Sequence, residues 1–185
     1  MTTPVDDRLR ESTVAVLAEH GWAGVTLERV AERVGRSRVT LWRQGLTREV
    51  LLNALLDALA DDYRKAMWPV LTANGTGREL LVRATGAFCD VIDRHLPLVL
   101  ASDTIFHHEQ ERGGSVVYIE PFERLLRDGA ADGSLHPHGR IDDVAEILMV
   151  SVGLSYAHMR GRHHWSKART RRIILDLVLR GIVDA

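Results

Sequence analysis

The stretch RVGRSRVTLWRQGLTRE, residues 33–49, places arginines at positions 33, 36, 38, 43 and 48 and holds no acid before Glu49. Arginine is always charged, and its planar fork of donors matches phosphate oxygens and the guanine edge. The whole chain carries 24 basic and 25 acidic residues, a net charge of −1. Attraction to a polyanion must therefore come from a local patch rather than from overall charge. Residues 1–48 hold eight arginines against six acids, Asp6, Asp7, Glu11, Glu19, Glu28 and Glu32, and all six acids precede Arg33. The chemistry this window offers is phosphate contact with salt-dependent counterion release.

The other reactive residue types point to less. Nine histidines include the pairs His107–His108 and His163–His164 and the triplet His136-Pro137-His138. Neighbours on a helix diverge by about 100°, so an adjacent pair is a poor chelate. Asp103 and His107 have i,i+4 spacing but no visible third ligand, and no metal or cofactor is expected. Cys89 is the only cysteine, which excludes an internal disulfide framework. No nucleophile elbow, phosphate-binding glycine loop or dinucleotide fingerprint is present. Charges interrupt the N-terminal segment throughout, and no uncharged apolar run approaches the length of a membrane span. These features predict a soluble cytoplasmic protein that is not an enzyme.

The elements that position the arginines read as helices. Leu9, Thr13, Val16 and Leu17 mark a helix over Asp6–His20, which Gly21 ends. Thr26 is an N-cap for a short helix over Leu27–Val34, with Val30, Ala31 and Val34 on one face, and Gly35 ends it. Ser37 caps a second short helix over Arg38–Gln44, which Gly45 ends. Thr47 caps a long amphipathic helix that runs to about Met67, where Pro69 breaks the pattern. Two short helices joined through a glycine turn are the outline of a helix-turn-helix, whose second helix enters the DNA major groove.

TLERVAERVGRSRVTLWRQGLTREVLL is similar to the N-terminal domain of tetracycline-repressor (TetR) family regulators. The resemblance is specific over about residues 8–55. It rests on Thr26, Val30, Ala31, Gly35, Ser37, Thr40, Leu41, Trp42, Arg48 and Leu51. The resemblance implies an all-α fold of about nine helices: a three-helix DNA-binding domain, residues 1–48, and a helical ligand-binding and dimerisation domain, residues 49–185. It also implies a homodimer that binds a palindromic double-stranded operator, mostly as a repressor released by a small-molecule effector. Arg38, Val39 and Thr40 fall at the base-facing positions. Trp42, Arg43 and Arg48 fall at phosphate-contacting positions, as does Thr26, whose capping role fits equally. Arg36, Ser37 and Gln44 complete the expected DNA-facing set. Three positions depart from the family pattern. Arg36 replaces an aliphatic residue, Trp42 replaces tyrosine, and Gln44-Gly45 replaces a pair that supplies an aromatic core contact. Leu46 or Trp22 is expected to fill that space.

The rest of the chain predicts helices over about 77–95, 97–109, 115–131, 141–160 and 166–183. The helix over 141–160 is apolar on two faces, Ile141, Val144, Ala145, Leu148, Val152, Tyr156 and Met159 on one and Ile147, Val150 and Leu154 on the other. The last helix repeats this, with Ile174, Leu177, Val178 and Gly181 opposite Leu175, Leu179 and Ile182. Helices apolar on most of their circumference are buried on most of it. These two are expected to form a homodimer bundle, with Ser151, Gly153 and Ser155 permitting close approach. Phe88, Cys89, Ile92, Phe106, Tyr118, Phe122, Met149 and Tyr156 are the candidate wall of an effector pocket, with His95, Thr104 and His107 as its polar groups. The basic run Arg160–Arg172 is expected to be an exposed loop and helix start. Two other classes stay open: a helical small-molecule-binding protein that has lost operator binding, and an enzyme using His107 with Asp103 or Glu109. Salt-dependent duplex binding separates the first, and turnover of a substrate separates the second.

Overall fold

A computed structural model of the protein describes residues 5–101 and 118–183, with side chains described as far as residue 178. Nine helices and no strands form among these residues. They are α1 (Asp7–Gly24), α2 (Leu27–Val34), α3 (Arg38–Arg43), α4 (Arg48–Leu71), α5 (Gly77–Arg94), α6 (Leu96–Ala101), α7 (Glu120–Asp132), α8 (Ile141–Gly161) and α9 (Lys167–Val183). The described residues fall into two units. The first contains residues 5–61 and 97–101, and the second contains residues 62–96 and 118–183. The boundary lies inside α4, so that helix belongs to both.

In the first unit, Leu9, Val16, Leu17, Val30, Ala31, Val34, Leu41, Leu46, Leu51 and Leu55 are buried. Each fully buried leucine or valine contributes about 1.5–3 kcal/mol relative to exposure. Thr13 joins this core because its hydroxyl donates to the Leu9 carbonyl at 2.7 Å. Gly21 does break the first helix, as a kink at φ 69°, but helical turns resume as far as Gly24. Arg33 donates through both terminal nitrogens to the Glu19 carboxylate at 2.8 and 2.7 Å, tying α2 to α1.

Pro69 does not end α4 at Met67; the helix continues to Leu71. Proline lacks one N–H, which removes the bond to the Lys65 carbonyl, and so close to the helix end little else is lost. In the second unit, α5 crosses α7 where Gly77 meets Gly129: a Cβ on Gly77 would lie 2.2 Å from the Gly129 Cα. Asp132 then caps α5, accepting from the Gly77 amide at 2.7 Å, while Thr76 and Glu79 close a capping box. Tyr63, Phe88, Tyr118 and Phe122 pack as one aromatic cluster, with ring centroids 4.8–5.9 Å apart. Burial raises the Tyr63 phenol far above its ordinary range, and its hydroxyl donates to the Tyr118 carbonyl at 2.5 Å.

Candidate nucleic-acid interface

The candidate interface is built on α3 by local chemistry. Thr26 caps α2 by accepting from the Arg29 amide at 3.3 Å. Gly35 takes the left-handed conformation at φ 70°, and the Arg36 amide returns to the Ala31 carbonyl at 2.9 Å. A residue with a Cβ is disfavoured there, and the turn it closes sets the angle between α2 and α3. Ser37 then caps α3, accepting from the Thr40 amide at 3.0 Å with its hydroxyl 2.8 Å from the Thr40 hydroxyl. Leu41 is fully buried and anchors the helix. Arg38, Val39, Thr40, Trp42 and Arg43 all face solvent. Val39 is 55% exposed and Trp42 65% exposed. An apolar residue and an indole left in water beside arginines are characteristic of a surface that a partner covers.

The five arginines divide by partner. Arg33 is held by Glu19. Arg48 is also committed within the unit: its Nε donates to the Val25 carbonyl and its Nη2 to the Trp22 carbonyl, both at 2.8 Å. Its guanidinium sits 6.0 Å from the centroid of the Trp22 ring. The start of α4 is satisfied from within as well. Thr47 accepts from the Val50 amide at 3.2 Å. The Glu49 carboxyl is held below the usual carboxylate range by its own backbone amide and by the Thr47 hydroxyl. Arg36 stands 3.7 Å from Asp6, a loose pair. Arg38 donates through Nε to Glu28 at 2.7 Å, with the two side chains 64% and 57% exposed. Arg43 is exposed beside Trp42. The outward cations are therefore Arg36, Arg38 and Arg43.

Gln44 ends α3, its amide donating to the Thr40 and Leu41 carbonyls at 3.2 and 3.1 Å. Its side-chain Oε1 is buried without a hydrogen-bond partner among the described residues. Leu46, one of the two residues expected to fill the space of the missing aromatic, is fully buried, and its amide donates to the Leu41 carbonyl at 3.1 Å. Trp22 is half-buried.

Most of the expected pocket residues that the structure describes sit in the core of the second unit. Phe88, Cys89, Ile92, Tyr118, Phe122, Met149 and Tyr156 are buried, and Phe106, Thr104 and His107 lie outside the described residues. Burial pushes the Cys89 thiol up to about 12. Tyr156 donates to Asp93 at 2.7 Å, and burial followed by this bond raises its phenol. His95 is taken up by Asp62, 2.9 Å away. A groove of about 540 Å³ opens instead between α4 and α7, lined by Tyr63, Arg64, Met67, Trp68, Leu71, Glu120, Pro121, Glu123, Arg124 and Arg127. None of the expected wall residues that the structure describes lines it.

On α8, Ile147 and Leu154 are 67% and 50% exposed, with Ser151 and Ser155 also outward; Leu177 of α9 is 66% exposed. Gly153 is buried, so it faces the core and not the outer strip. Leu177 likewise parts from Ile174, which is buried. Much of the basic run after Arg160 is engaged: Arg160 holds Asp93 at 2.7 Å, Lys167 lies 2.8 Å from Asp90, and Arg169 stacks 3.7 Å over Trp165. Sequence reasoning missed Glu28, Asp93 and Asp90, acids whose partners come from other helices. It also missed the meeting of His158 with His163.

No protein-family model matches the chain, and no curated protein matches it. Solved structures do. A bacterial regulatory protein in the TetR family from Rhodococcus RHA1 superposes with a TM-score of 0.78 at 18% identity, over 100% of both chains. The fatty acid degradation regulator FadR from Bacillus halodurans gives 0.77 at 16% identity, covering 98% of this chain and 97% of its own. The ketosteroid transcriptional regulator KstR2 of Mycobacterium tuberculosis gives 0.72 at 22% identity, over 97% and 96%. The chain has the all-α fold of the TetR-family transcriptional regulators along nearly its whole length.

Proposed function

We propose that the protein is a homodimeric transcription regulator of the TetR type, and a repressor, that binds a palindromic DNA operator through α3. The observation that carries this reading is the outward face of α3. One side-chain cap, from Ser37, and one buried leucine hold the helix, while Arg38, Val39, Thr40, Trp42 and Arg43 stay in water. Arg38 reads guanine O6 and N7, and the Val39 and Thr40 methyl groups meet thymine methyls. Arg36, Arg43, the Ser37 hydroxyl and the Trp42 indole N–H hold phosphates. Arg48 positions these groups through its Nε and Nη2 bonds within the unit, while Thr26 caps α2 by accepting from the Arg29 amide and keeps its hydroxyl hydrogen for a phosphate. Gln44 ends the reading helix.

The second copy joins through α8 and α9. Ile147, Leu154 and Leu177 leave an apolar strip that a two-fold partner would cover. A dimer sets two recognition helices about 34–36 Å apart, one turn of duplex. The effector occupies the groove between α4 and α7. Its apolar Tyr63, Met67, Trp68 and Leu71 and its rim arginines Arg64, Arg124 and Arg127 suit an amphipathic anion. No helix among the described residues is long and apolar enough to cross a membrane.

The test is selection of the purified protein against randomised duplexes. Enrichment of a palindrome with half-sites one turn apart is the expected result. Binding that stays weak, salt-sensitive and without sequence preference would refute it.

A further inference from the structure

The histidines that meet in space are not the adjacent ones. His158 stands in the last turn of α8 and His163 in the connection to α9. Their Nε2 atoms lie 3.1 Å apart, with ring centroids at 4.9 Å and planes inclined by 59°. Both side chains are exposed.

The backbone between them is tied down. The Arg162 and His163 amides both donate to the His158 carbonyl, at 2.8 and 3.4 Å. His164 adopts φ 54°, a left-handed conformation uncommon for a residue with a side chain. That reversal lets the Trp165 amide reach the Met159 carbonyl at 3.0 Å. Arg160 donates through Nη1 to the Trp165 carbonyl at 2.5 Å and through Nε to Asp93 at 2.7 Å. The pair is therefore held by contacts that do not involve the imidazoles themselves.

A hydrogen bond between two neutral imidazoles explains the distance but gains little in open water, where each ring nitrogen has a solvent partner. Two Nε2 atoms 3.1 Å apart are also within the span of two cis ligands on one ion. With metal–nitrogen bonds of about 2.05 Å, a 3.1 Å separation subtends roughly 98°, between the octahedral and tetrahedral angles. We propose that His158 and His163 form a two-imidazole clamp for a divalent d-block ion such as Zn²⁺. Imidazole donors favour Zn²⁺, Cu²⁺ and Ni²⁺ over Mg²⁺ and Ca²⁺. Arg162 and His164 flank His163 in sequence, so attraction by charge does not hold the ion; nitrogen coordination does. The C-terminal end of the α8 dipole favours a cation there. Among the described residues no third histidine, cysteine or carboxylate converges on the pair, so water completes the coordination. A bound ion would fix the turn that joins the two helices carrying the exposed apolar strip.

The test is a calorimetric titration of tag-free protein with ZnCl₂ at about pH 7.5, where imidazole is mostly neutral. One saturable site per chain is expected, weakened at least ~10-fold in both His158→Gln and His163→Gln. His136→Gln, an exposed histidine in another loop, should bind as the parent does. No saturable binding in the parent would overturn the proposal. So would binding that survives either substitution, or that is lost equally in His136→Gln.

Discussion

Replacing Arg48 separates two roles that the sequence alone leaves merged. If Arg48 holds a phosphate, Arg48→Ala removes a charge from the DNA interface and leaves the fold intact. In the structure the guanidinium instead makes two part-buried bonds of 2.8 Å to the Trp22 and Val25 carbonyls, which brace the turn after α1 against the start of α4. A hydrogen bond to a charged group contributes about 1.5–3 kcal/mol, and two that share one side chain are not additive. Arg48→Ala is therefore expected to cost about 2–3 kcal/mol of stability, read by urea denaturation followed by circular dichroism. Arg48→Lys should recover little, because an ammonium cannot present a rigid fork to two carbonyls. The second reading is the salt dependence of operator affinity. Removing one phosphate-bound cation from each subunit of a dimer would lower the slope of log K against log salt by about 1.8. A bracing residue leaves the slope unchanged while affinity falls. An Arg48→Ala protein of parental stability with a reduced slope, rescued by lysine, would refute this reasoning.

Three further outcomes follow from the same geometry. Glu28→Gln frees Arg38 in each subunit from an exposed ion pair worth about 0.2–1 kcal/mol, so operator binding by the dimer, read by fluorescence anisotropy, should tighten roughly 2- to 30-fold. Gly77→Ala drives a methyl group into the Gly129 backbone, which cannot yield as a side chain can, and should destabilise the second unit by about 1–3 kcal/mol in chemical denaturation. The Glu19 carboxyl is held low by its bond from Arg33, and that of Asp132 by bonds from Ser134 and the Gly77 amide. With folded values below the unfolded ones, both stabilise fully above the unfolded carboxylate range. That stability disappears as pH falls through the folded values. Melting temperature should therefore hold down to about pH 5 and drop below about pH 4.

What the sequence makes legible is local. Thr26, Ser37 and Thr47 are readable as caps, and Gly35 as a left-handed stop, because each acts within four or five residues along the chain. The partners of the arginines are not readable. Arg48 bonds carbonyls 23 and 26 residues away, and Arg38 finds Glu28 only once the Gly35 turn has set α2 against α3. Tyr156 resembles a pocket wall by its type. Its partner Asp93 lies 63 residues earlier, and no periodicity joins them. His158 and His163 are five apart, which on a continuous helix would place them on different faces. The chain leaves the helix between them, and the left-handed His164 that follows completes the turn.

The measurement that bears most directly on the central claim is a repeat of the duplex selection with Arg38→Ala and Thr40→Ala beside the parent protein. Each variant is expected to keep the spacing of the half-sites but to relax or change the bases enriched at its own position. Arg38→Ala should abolish the preference for guanine there, and Thr40→Ala the preference for thymine. The same palindrome, enriched to the same degree by all three proteins, would contradict the claim that α3 reads the operator.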